Sequence, residues 1–249
     1  MKVVSAYSIK GGVGKTALSV NLAYALQQAG KRTLLVDLDP QGAAAFFFRV
    51  SPAEEFETEL DDLTDAGLRG NIRESDYPGL DILPSNLAYR NFDIVLDRMR
   101  KSRKQLRWLL DELGTDYDCI VLDCPPNITL LSENVFRASD LILVPVIPTT
   151  LSERTLEQLF EFFREMELPT EILVPFFSMA QKRNRVHQET IAHLPERYPM
   201  FLSTVIPFTV EMEKMALHRM PVLAYGAKLP VAQAYGALCK EIQERWEQM

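Results

Sequence analysis

Short apolar runs alternate with longer amphipathic stretches along almost the whole chain. Val3 to Tyr7, Arg32 to Asp37 (RTLLVD), Leu80 to Pro84, Asp118 to Asp123 (DCIVLD), Asp140 to Val146, Glu171 to Phe177 and Phe201 to Ile206 read as strands. RTLLVD and DCIVLD are apolar without alternation, the pattern of parallel strands covered on both faces. Between the runs, helical spacing covers Thr16 to Ala29, Asn86 to Arg98, Ser102 to Leu113, Thr129 to Ala138, Glu153 to Glu165 and Asn184 to Leu194, with a further helix inside Val210 to Met220. Gly30 suits the end of the first helix. Ala43 to Phe48 (AAAFFF) predicts a helix packed on the sheet, and 53–81 an acidic surface loop with a short helix. Pro230 opens the last helix at the position proline favours. There Val231, Ala234, Tyr235, Leu238, Ile242 and Trp246 form the core face, opposite Lys240, Glu241, Glu244 and Glu247. Strands alternating with helices predict an α/β fold: a doubly wound, mostly parallel sheet with helices on both faces. With no repeat or linker, one domain over residues 1–249 is expected.

Composition changes this picture little. With 249 residues, 47% hydrophobic and 24% charged, the chain has an ordinary globular make-up. It contains no apolar run of the ~18 residues a membrane span needs. No secretory signal precedes Val3, so a cytoplasmic protein is expected. Cys119, Cys124 and Cys239 have no metal-ligand spacing and are expected to be reduced and buried. The net charge of −7 weighs against nucleic acid as an average, but the charge is uneven. Acids dominate 53–81, whereas Arg90, Arg98, Arg100, Lys101, Arg103, Lys104 and Arg107 make 90–107 basic.

The chemistry begins in the turn after the first strand, Lys10-Gly-Gly-Val-Gly-Lys-Thr16. A strand, a glycine-rich turn and a helix form the setting of a phosphate-binding loop. Backbone N–H groups from Gly11 to Lys15 can converge on a polyphosphate, and the helix N-terminus adds its positive end. Lys15 would reach the β/γ-phosphates and Thr16 would help hold Mg²⁺. The general pattern G-x-x-x-x-G-K-[ST] is incomplete, because Ile9 stands where the first glycine belongs. A second lysine, Lys10, heads the loop instead.

Two other strands end in acids. RTLLVD runs into Asp37-Leu-Asp-Pro-Gln-Gly42, and DCIVLD into Asp123-Cys-Pro-Pro126. Ligands of open parallel sheets sit beyond the strand C-termini, which places Asp37, Asp39 and Asp123 near the phosphates. An apolar strand closed by Asp is the Walker B arrangement, its carboxylate orienting Mg²⁺.

Taken together, these pieces resemble the ParA/MinD group of P-loop ATPases, on its ParA side. KGGVGKT at 10–16 is similar to the deviant Walker A box, LLVDLDPQG at 34–42 to switch I, and IVLDCPPN at 120–127 to Walker B and switch II. The stretch 204–222 (TVIPFTVEMEKMALHRMPV) resembles the family's C-terminal segment for adenine and DNA. The resemblance implies ATP and Mg²⁺ as cofactors. It gives nucleotide contacts to Lys10, Gly11, Gly12, Val13, Gly14, Lys15, Thr16 and Ala17, with Pro207 and Phe208 at the adenine. It puts Thr16, Asp39 and Asp123 around the metal, and Lys10, Lys15 and Asp39 in catalysis, Asp39 positioning the attacking water. Lys10 would cross a dimer interface to the partner's nucleotide, so that ATP favours a homodimer.

The implied function is an ATPase that dimerises with ATP, binds nucleoid DNA non-specifically and positions a cargo, with hydrolysis stimulated by an adaptor protein. The cargo would be a plasmid, a chromosome region, a chemoreceptor cluster or a carboxysome-like microcompartment. The chain departs from the family in two places: Ala43 to Ala45 replace a polar run after switch I, and Phe208 and Glu211 stand where the family often has basic residues linked to DNA binding. Lys182, Arg183, Arg185, Lys214 and Arg219 are the remaining DNA-binding candidates, as phosphate contacts that read no sequence. The other readings are a MinD-like membrane ATPase and an ATP-dependent metabolic ligase of the same superfamily. The first needs a basic amphipathic tail beyond Trp246, so no membrane partner is expected.

Overall fold

The computed structural model describes residues 1–51, 69–85 and 102–247. Most of the acidic stretch and the helix expected over Asn86–Arg98 lie outside the described residues. The strands are β1 (Lys2–Ala6), β2 (Thr33–Asp37), β3 (Arg73–Glu74), β4 (Leu80–Leu83), β5 (Cys119–Asp123), β6 (Leu141–Val146), β7 (Leu173–Ala180) and β8 (Val205–Pro207). They form one sheet in the order β3-β4-β2-β5-β1-β6-β7-β8. Every pairing is parallel except β3 with β4. The antiparallel Arg73–Glu74 edge is too short to leave a pattern in the sequence. The strand expected from Phe201 reaches only Val205–Pro207. Glu241 accounts for the difference, because its carboxylate accepts from the Ser203 and Thr204 amides at 2.6 and 3.0 Å. Those amides are thereby withdrawn from the sheet.

Alternation along the central strands builds two cores. Val3, Leu34, Ile120 and Ile142 face one side. Val4, Leu35, Val121 and Leu143 face the other. Such a split follows from successive side chains pointing to opposite faces. The first side is covered by α3 (Gln105–Glu112), α4 (Leu130–Ala138) and α5 (Thr150–Glu165), and α6 (Arg185–Arg197) contributes Leu194 to the same core. The second is covered by α1 (Lys15–Gln28), α2 (Ala43–Phe47) and α9 (Pro230–Glu247). Two short helices, α7 (Lys214–His218) and α8 (Val222–Tyr225), precede α9 and add Met215 and Val222 to that core.

Helices thus lie on both faces, as the alternation of runs predicts. Among the described residues no helix is long and apolar enough to cross a membrane. The three cysteines are free and buried. The strands β1, β2 and β5 end side by side, with Ala6 and Asp37 each in register with Asp123. The residues that follow them therefore share one edge of the sheet, which is where the candidate chemistry collects.

Candidate nucleotide site

The loop after β1 is shaped by its glycines. Gly12 and Gly14 have φ of +70° and +97°, in the left-handed region that side chains disfavour. A Cβ on Gly14 would also stand 3.1 Å from Ser178 Oγ. Gly14 is the N-cap of α1 and supplies no side-chain cap. The first N–H groups of that helix are left for an external acceptor. Gly11 and Gly12 are exposed, whereas Lys15 is buried, 7% exposed. The Lys15 ammonium donates to the Lys10 carbonyl across the loop at 3.3 Å. Burial pushes its pKa down, and the Asp123 charge opposes that shift. Lys10 and Thr16 are half-buried.

Asp123 is fully buried at the end of β5. Ser19, one turn into α1, donates its hydroxyl to Asp123 Oδ1 at 2.9 Å. Burial raises the carboxyl's pKa to about 6, and the Ser19 hydroxyl together with the nearby Thr16 side chain limits the rise. Its second oxygen, Oδ2, is buried without a hydrogen-bond partner among the described residues. An orphaned carboxylate oxygen in this position suits a cation, because a buried polar atom without a partner is costly. The donor set fits Mg²⁺, which takes one or two protein oxygens and completes its octahedron with phosphate and water. Thr16 and Asp123 are the side chains that would hold it. Among the described residues no cluster of three or more His, Cys, Asp or Glu could hold a metal alone.

The two acids after β2 separate in role. Asp37 is not oriented to phosphates as its sequence position suggests. Its Oδ2 accepts from the Ala44 and Ala45 amides at 2.9 and 3.1 Å, and its Oδ1 from the Asp39 amide at 3.2 Å. It caps α2, whose own N-cap is Gly42 in a left-handed conformation. Burial, and then the nearby Asp123 charge, push its pKa up to about 8. Asp39 is half-buried, and among the described residues its side chain accepts from the Gln41 amide alone, at 3.0 Å. Ser19 and the capping role of Asp37 escaped the sequence reading. A polar residue one turn after Lys15, among the buried positions of α1, was the available signal for Ser19.

The remaining candidates come from β7, β8 and the segments that follow them. Pro207 ends β8, and Phe208 is 55% exposed with its amide bonded to the Ala180 carbonyl. Lys182 and Arg183 are exposed beyond β7. Arg185 pairs with Glu189 and Lys214 with Glu211, both at 2.8 Å. Arg219 is held against Phe46, with Nε donating to its carbonyl at 3.2 Å and the guanidinium 4.6 Å above its ring centre.

A glycine loop at a helix N-terminus, with a buried aspartate beside its lysine and threonine at the central strand ends, defines a P-loop nucleotide-binding fold. The AAA domain family model matches residues 1–172. The sporulation initiation inhibitor protein Soj of Bacillus subtilis is 30% identical over 97% of this chain and 98% of its own. The chain belongs to the ParA-type family of P-loop ATPases. Among solved structures, the ATP complex of a McdA variant from Cyanothece superposes with a TM-score of 0.83 at 19% identity, over 98% of this chain and 96% of that one. Cobyrinic acid a,c-diamide synthase from Mycobacterium smegmatis, with a bound ATP analogue and magnesium, gives 0.79 at 23%, over 99% and 96%. At those identities the likeness is one of fold, and the fold serves both kinds of protein.

Proposed function

We propose that this chain is a ParA-like ATPase that binds ATP and Mg²⁺, dimerises on ATP, binds DNA non-specifically as that dimer, and positions a cargo whose adaptor stimulates hydrolysis. We take it to act as one domain in the cytoplasm, at the nucleoid. The carrying observation is the pairing of two lysines in one loop. Lys15 is buried beside Asp123, where it can meet the β/γ-phosphates. Lys10 is only half-buried at the head of the loop, free to serve a nucleotide other than the one its own loop holds. Thr16 and Asp123 would hold Mg²⁺, which would offset the negative charge of the phosphates. Asp39, whose side chain has a single backbone partner among the described residues, is the acid available to orient water. Phosphoryl transfer of this kind rests on position and charge, so ATP between two positive loops favours a dimer and its hydrolysis releases one.

Size-exclusion chromatography and nucleotide titration of two variants test this. Lys15→Ala abolishes ATP binding, whereas Lys10→Ala binds ATP but stays monomeric. A Lys10→Ala protein that dimerises with ATP removes the switch. Random duplex DNA in a gel-shift assay moves only with ATP, and no shift at low salt removes the DNA part. Turnover by the purified protein without any small carboxylate separates this reading from a ligase.

A further inference from the structure

Asp39 lies on a loop that must be held relative to α1 if it is to orient water on phosphates gripped by α1. The structure contains an anchor for that loop. At its near end the loop is fixed by Asp37, which accepts from the Asp39, Ala44 and Ala45 amides. At its far end, α2 meets the segment 212–223 through two reciprocal contacts. Arg219 donates to the Phe46 carbonyl at 3.2 Å and stacks on the Phe46 ring. Arg49, just past α2, donates to the His218 carbonyl at 3.1 Å and pairs with Asp76 at 3.3 Å. Both arginines have positive φ, 59° at Arg49 and 50° at Arg219. Non-glycine residues adopt that conformation at a cost. Each arginine thus sits in a backbone that glycine would adopt more readily; Arg49 reaches the carbonyl just before Arg219, and Arg219 the carbonyl three residues before Arg49.

The same segment is also clipped to α1. Asn21 is fully buried on α1. It accepts from the Leu223 amide at 3.2 Å, and its amide nitrogen lies 3.6 Å from Met215 Sδ. One strap therefore touches both the helix that carries Lys15 and Thr16 and the helix that follows Asp39.

We infer that Arg219 is a positioning residue for hydrolysis, locking α2 to the 212–223 strap and so setting Asp39 against the phosphate loop. This inference rests on the ATPase reading above.

Arg219→Gly is the informative variant, since glycine fits φ +50° and deletes only the side chain. With the full chain, ATP affinity by fluorescent-nucleotide titration and the melting temperature are expected to stay near those of the parent. The kcat of hydrolysis is expected to fall by about fivefold, the scale of one stacked cation and one hydrogen bond. Arg219→Lys keeps the charge but lacks the planar stack and stays impaired, whereas a phosphate contact would be restored by it. Arg49→Gly lowers kcat in the same way, and Arg219→Gly combined with Phe46→Ala is no worse than Arg219→Gly alone. Unchanged kcat in Arg219→Gly, or its rescue by lysine, overturns the positioning role while the ATPase reading stands. A parent protein with no turnover overturns both.

Discussion

At the scale of single residues, the decisive group is Asp123. Its Oδ1 is held by Ser19 at 2.9 Å, while its Oδ2 has no partner among the described residues. Asp123→Asn keeps the shape but removes the charge a cation needs. It is expected to lower Mg²⁺-dependent ATP turnover at least 100-fold, about 2.7 kcal/mol in the barrier, while Mg²⁺-free nucleotide affinity changes little. Ser19→Ala leaves the carboxylate charged but frees Oδ1. It is expected to cost about 1 kcal/mol of stability and to raise the Mg²⁺ concentration for half-maximal turnover. A magnesium titration of both variants reads the two effects apart, and unaltered magnesium dependence in Asp123→Asn would place the metal elsewhere. Asp123 was legible because an apolar strand ended in it. Ser19 was not, since a serine inside a helix shows nothing of where its hydroxyl points until α1 is laid against β5.

At the scale of elements, the informative case is α2. Its sequence, AAAFF, carries no capping side chain, and Gly42 supplies none. Asp37 does that work from the end of β2, seven residues before Ala44. Asp37→Ala strips the helix of its cap and is expected to cost about 1–2 kcal/mol in urea unfolding. Asp37→Asn retains an acceptor oxygen and cannot ionise at any pH. The contribution of Asp37 to pH dependence has a definite sign. The folded pKa, about 8, lies above the usual carboxylate range, so the folded state holds a proton that the unfolded chain gives up near pH ~4. Stability from this group is complete below about pH 4 and is lost as pH rises towards 8. In Asp37→Asn that loss disappears, and the difference between the two stability curves across pH 4–8, measured without magnesium or nucleotide, isolates it. A parallel pair of curves contradicts the burial argument. Asp37 also marks where element reading fell short: strand position places two acids at the sheet edge but does not say which one turns to the backbone.

At the scale of the whole molecule, the alternating runs carried the architecture. Val3 and Val4, or Ile120 and Val121, divide between two cores as neighbouring strand residues must. Strand order was not legible, because β2 is separated from β1 by β5, a segment more than eighty residues further along. The charge surface was legible only as composition. A net charge of −7 leaves any DNA contact to local cations, and the fold sorts these by what already holds them. Arg185 and Lys214 are neutralised by Glu189 and Glu211. Lys182 and Arg183 are exposed beside the edge where the loops collect, and form no ion pair among the described residues. A cation that is already paired releases fewer counterions when it meets a phosphate than a free one does. Lys182→Ala and Arg183→Ala are therefore expected each to weaken ATP-dependent binding of random duplex DNA and to reduce the slope of log affinity against log salt by about 1. Arg185→Ala and Lys214→Ala are expected to change that slope less. Fluorescence anisotropy at a series of salt concentrations makes the comparison, and equal slopes for all four variants would mean that the DNA surface lies on another face.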